Sequence, residues 1–80
     1  MTFFEQIRRF ERLDYLIRSK STGSPAQLAR KLNVSESQVF QIMKIFREKF
    51  DAPVYYSKAQ QSYCYEREVK FTWGFQLLEK

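Results

Sequence analysis

Few residue types in this 80-residue chain can do covalent chemistry. Histidine is absent and Cys64 is the single cysteine, so a structural zinc site, a His-based catalytic site and an internal disulfide are all excluded. Paired carboxylates, a nucleophile–base pair and a Gly-rich phosphate cradle are also missing from the sequence. No enzyme, metal or cofactor is therefore expected, and no small-molecule site is evident. What remains is hydrogen bonding and charge. One group of amides and hydroxyls is the stretch "NVSESQVFQIMK", residues 33–44, which holds Ser35, Ser37, Gln38 and Gln41 around Phe40 and ends on Lys44. Among "SESQVFQ" the only charge is Glu36, and no Arg or Lys occurs.

Charge elsewhere is positive. The net charge is +5 and the pI is near 9.6, which suits an anionic partner such as nucleic acid, or simply a mildly basic solvated surface. The excess sits early in the chain. Residues 1–20 carry five Lys/Arg against three acids, residues 21–35 add Arg30 and Lys31 with no acid, and residues 51–80 balance at four against four. Arg30 and Lys31 fit two readings, a basic flank of a groove or a solvated helix end favoured by the helix dipole. One domain is expected from the length, with a small core rich in aromatics: eight Phe, five Tyr and one Trp. No apolar run approaches the ~20 residues of a membrane helix, and "MTFFEQIRRFERLD" is too charged for a signal peptide, so a cytoplasmic protein is expected. In that setting Cys64 reads as a packed thiol.

Three elements should position the stretch. Thr2 with Glu5 is a capping box, and apolar residues follow with helical period at Phe3, Ile7, Phe10, Leu13, Leu16 and Ile17, predicting a helix over about 3–19. Ser24, Pro25 and Gln27 open a second helix over about 25–32, with Leu28, Ala29 and Leu32 inward. Asn33 stands where the chain must turn left-handed. Ser35 with Gln38 is a third box, opening a helix over about 36–50 whose apolar stripe is Val39, Ile42, Met43, Phe46 and Phe50. Pro53 stops it. "VYYS" and "SYCY" around "KAQQ" predict a hairpin over about 54–65, and the alternation of Val69, Phe71, Trp73 and Phe75 predicts a last strand over about 69–75. The fold class expected is mainly α with a small β-sheet. The order is that of a three-helix winged helix–turn–helix with a β-hairpin wing and an extra C-terminal strand. An ordinary three-helix bundle is the alternative.

The segment "PAQLARKLNVSESQVFQIMK" fits the helix–turn–helix pattern, with Ala29 as the small contact residue. Together with "LDYLIRSKSTGSPAQLARKLNVSESQVFQ" and the following "APVYYSKAQQSYCY", it resembles the winged helix–turn–helix domain at the N-terminus of DeoR-type and related bacterial transcriptional regulators, over roughly residues 10–66. That resemblance implies a DNA-binding module without the family's large ligand-sensing domain. It implies a third helix in the major groove of double-stranded DNA and a wing on the flanking backbone. Carried over position by position, Ser35 would face a phosphate, Ser37, Gln38 and Gln41 would face base edges, and Lys44 would touch backbone. Phe40 matches an aromatic position beside the groove, and Lys58 and Gln60 sit on the wing tip. The family often has arginine where this chain has Ser37 and Gln41. Gln can pair with adenine N6 and N7, but electrostatic affinity is lower, by about 0.9 in salt slope per lost phosphate contact.

Two apolar segments exceed what such a domain needs: Phe3, Phe4 and Ile7 at the start, and Phe71, Trp73 and Phe75 near the end. They either cover each other within one chain or form a homodimer interface, the arrangement that suits a two-fold DNA site. A protein-interaction module that reuses the same fold, with Glu36, Phe40 and the last strand as its contact, is the alternative function.

Overall fold

The computed structural model describes residues 2–72. Their architecture is three helices followed by a two-stranded antiparallel sheet. Helix α1 spans Phe3–Arg18, α2 Pro25–Leu32 and α3 Glu36–Lys49. All three begin the same way. The side-chain oxygen of Thr2, Ser24 or Ser35 accepts the N–H of the residue three positions on, and that residue's own side chain accepts the cap N–H in return. Each box satisfies two backbone donors that a helix start otherwise leaves open.

Helix α2 ends because Asn33 adopts the left-handed region, φ 58° and ψ 48°, so the chain reverses within two residues and Ser35 can cap α3. Asp51, also left-handed at φ 53°, turns the chain after α3, and Pro53 leads into β1, Val54–Ser57. Strand β2, Ser62–Tyr65, pairs with it in the register Val54↔Tyr65 to Ser57↔Ser62. The four residues between them close the hairpin with Gln61 left-handed at φ 51°.

The core lies where the three helices meet the hairpin. Leu13, Ile17, Leu28, Val39, Met43 and Phe46 are almost wholly removed from water. Phe10 stacks on Phe46 with ring centroids 5.5 Å apart. Two polar clusters are buried with it. Asp14, 2% exposed, lies on the inward face of α1. Its Oδ2 accepts from Arg18 Nε at 2.9 Å, and its Oδ1 accepts from the Tyr65 hydroxyl at 2.8 Å and from the Phe71 N–H at 3.0 Å. Thr22 and Ser62 form the second cluster. Thr22 Oγ1 accepts the Tyr63 N–H at 2.8 Å, and the Thr22 N–H donates to Ser62 Oγ at 3.2 Å. This clasp holds the α1–α2 loop against the start of β2.

The strand expected over 69–75 is not formed in the part described. Residues 68–72 carry no strand, and Trp73, Phe75 and the tail "QLLEK" lie outside the described residues. The alternation that suggested a strand is nevertheless physical: Val69 and Phe71 are half-buried while Lys70 and Thr72 are exposed. Among the described residues no strand pairs with it. The Phe71 N–H goes to the Asp14 carboxylate, and its ring enters the cluster of Phe10, Phe46 and Phe50 at centroid distances of 5.4–6.1 Å. An extended segment can thus alternate faces with its backbone satisfied by a side chain instead of a ladder.

Candidate functional site

Helix α3 buries Val39, Ile42, Met43 and Phe46. With 3.6 residues per turn, the opposite face is Ser37, Gln41, Lys44 and Glu48, at spacings of four, three and four. All four are exposed. Lys44 joins no ion pair among the described residues, where the single such pair is Asp14–Arg18. The outer face of α3 is therefore two small neutral polar groups, one cation and, a turn further on, one anion.

The two flanks of the helix differ. On one side Glu36, Phe40 and Arg47 form a row. The charges at the two ends of this row act on the Tyr63 phenol of the hairpin: burial raises its pKa above the ordinary 10.0, Arg47 opposes the shift, and Tyr56 and Glu36 add to it. Phe40, 53% exposed, is the apolar centre of the row. On the other side Gln38, Gln41 and Ile45 border a groove of about 170 Å³ shared with Gln6 and Arg9 of α1, with Phe10 and Ile42 also lining it. No acid lines that groove.

Gln38 stands apart from the other residues assigned to base contacts. Its Oε1 accepts the Ser35 N–H at 2.9 Å, and its own N–H donates to Ser35 Oγ at 3.1 Å. Its amide oxygen is thus already used by the capping box. Ser35 Oγ keeps its proton for a further acceptor while it receives the Gln38 N–H. Ser37, Gln41 and Lys44 carry no such obligation among the described residues.

Lys58 and Gln60 are exposed on the hairpin loop, where the Gln60 N–H donates to Ser57 Oγ at 3.2 Å. Lys58 is joined by a residue from another element. It lines an open cleft of about 520 Å³ with Arg30 of α2, together with Ser24, Gln27, Tyr56 and Gln61, again with no acid in the lining. The Thr22–Ser62 clasp brings these two elements together. Arg30 and Lys31 thereby separate: Arg30 faces the cleft, whereas Lys31 Nζ donates to the Ser21 carbonyl. The pairing of Arg30 with Lys58 has no sequence signal, because the two lie 28 positions apart and meet only through the hairpin's return.

The residues expected to join copies of the chain are distributed unevenly. Phe3 and Phe4 are 58% and 74% exposed, with their rings edge to face. Ile7 is buried within the chain, and Phe71 packs on its own core. Trp73 and Phe75 lie outside the described residues. Asp14, which sequence reasoning missed, is the one buried carboxylate among the described residues. A single acid at a position of the apolar stripe was its one signal.

Among the described residues no helix is long and apolar enough to cross a membrane, and no group of three His, Cys, Asp or Glu is placed to hold a metal ion. Compared with family models, with curated proteins and with solved structures, the chain finds no match in any of the three.

Proposed function

We propose that this chain is a double-stranded-DNA-binding module of the winged helix–turn–helix type, a sequence-specific transcriptional regulator. In this reading α3 enters the major groove and the hairpin acts as the wing on the backbone. The observation that carries it is the pairing of a polar, unobligated outer face on α3 with an acid-free cleft lined by both Lys58 of the hairpin and Arg30 of α2. Two cations facing an open cleft suit phosphate oxygens, and exposed Ser and Gln suit base edges. Ser35, at the start of α3, supplies a hydroxyl to a phosphate, and Lys44 supplies a charge.

Binding to mixed-sequence duplexes, followed by fluorescence anisotropy at several salt concentrations, tests this. Affinity should fall steeply with salt. Lys44→Ala and Lys58→Ala should each weaken binding uniformly across sequences and reduce the salt slope by about 0.9. Absence of salt-dependent binding at low ionic strength sinks the proposal.

One observation favours a second reading. Phe40, Ile45 and Phe4 are exposed apolar side chains on a small surface. A protein-interaction module would use them, and it would show no salt-dependent DNA affinity while losing its partner on Phe40→Ala.

A further inference from the structure

Resting on the DNA-binding reading above, we propose that α3 selects A·T base pairs, with Gln41 on adenine and Phe40 on the thymine methyl group. Glutamine recognises adenine with both ends of its amide: the oxygen accepts from N6 and the nitrogen donates to N7. Gln38 has one lone pair of its amide oxygen committed to the Ser35 N–H at 2.9 Å, which holds the side chain back against the start of the helix. Gln41, one turn on and in the centre of the exposed face, makes no side-chain hydrogen bond among the described residues, so both ends of its amide are available.

Guanine is read mainly by Arg or Lys on O6 and N7. The outer face has no arginine, and its single cation, Lys44, lies past the N-terminal turns that place base-contacting residues in a recognition helix. Arg47 lies further still from the start of α3, in its last turn. Phe40 presents a ring that is 53% exposed and in no ring contact among the described residues. In the major groove thymine alone offers an apolar group, its methyl. Gln41 and Phe40 are adjacent in sequence and about 100° apart around the helix, so a helix lying in the groove presents both to its floor. The rival on the same helix is Glu36, whose carboxylate suits cytosine N4. Its charge has the same sign as the phosphates that line the groove, which opposes its approach to a base edge.

Selection from a random duplex library at two salt concentrations, followed by atom-level substitution in the selected site, tests the assignment. The enriched core should be A·T. Replacing the contacted adenine by 7-deazaadenine should weaken the wild type roughly five- to a hundredfold and leave Gln41→Ala unaffected. Replacing thymine by deoxyuridine, which lacks the methyl, should weaken the wild type about fourfold and leave Phe40→Ala unaffected. Gln41→Arg should change the preferred pair at one position to G·C. Both side chains are exposed, so these variants are expected to fold, which circular dichroism checks. A G·C core that depends on Lys44 or Glu36 overturns the A·T assignment and leaves DNA binding standing. So does salt-dependent binding with no sequence enriched. Loss of all salt-dependent binding overturns the DNA reading itself.

Discussion

At the scale of single residues, Asp14 does most to hold three parts of the chain in register. It is a carboxylate buried on α1 that receives donors from α1 itself, from β2 and from the segment after β2. Burying it is costly, and the three donors offset that cost. Asp14→Ala leaves the Tyr65 hydroxyl and the Phe71 N–H without an acceptor, so a loss of about 3 kcal/mol is expected in urea unfolding. Asp14→Asn keeps one acceptor oxygen and should lose less. A loss under about 1 kcal/mol for the alanine variant contradicts this role. Tyr65 supplies the matching pH effect. Burial pushes its phenol far above the ordinary 10.0, and the hydrogen bond to Asp14 and that carboxylate's charge push the same way, against Arg18. A raised folded-state value means that the folded chain keeps a proton which the unfolded chain releases. The associated stability is complete below about pH 10 and falls as the pH rises further. Tyr65→Phe should flatten the fall in stability measured above pH 10. An unchanged slope would show that other groups control it.

At the scale of elements, the short links between helices decide how α3 is presented. Gly23 has φ +73°, and a Cβ there would collide with Gln27 Oε1, the atom that accepts the Ser24 N–H. Gly23→Ala should therefore strain the loop and break the α2 capping box together, costing about 1–2 kcal/mol. Asn33→Gly is the control, since glycine accepts the left-handed turn that Asn33 already makes. It should change stability by less than about 0.5 kcal/mol. Equal costs for the two would show that loop strain is not what distinguishes them. The caps were legible in the sequence because Ser-x-x-Gln and Thr-x-x-Glu are local patterns. The last strand is not formed over the described residues 69–72, because alternation reports which way side chains face, whereas a strand also needs a partner, and Asp14 takes the Phe71 N–H instead.

At the scale of the whole molecule, the aromatic excess is partly consumed inside. Phe71 joins Phe10, Phe46 and Phe50, and Ile7 is covered, which leaves Phe3 and Phe4 as the described apolar residues at the start of α1 that remain more than half exposed. On the proposed function, a second copy would double the phosphate contacts that a chain of net charge +5 can make. Sedimentation equilibrium is expected to show self-association that Phe4→Ser weakens. A protein that remains monomeric at concentrations saturating its DNA removes the homodimer.

The sequence by itself determined the three helices, their caps, the left-handed turn at Asn33 and the hairpin, since each depends on residues within a few positions of one another. It also holds no histidine and a single cysteine. Only the tertiary structure brought Arg30 and Lys58 to one cleft and turned Asp14 inward to hold Phe71. Those contacts join residues tens of positions apart, and their energy exists only once the helices and the hairpin have closed on a shared core.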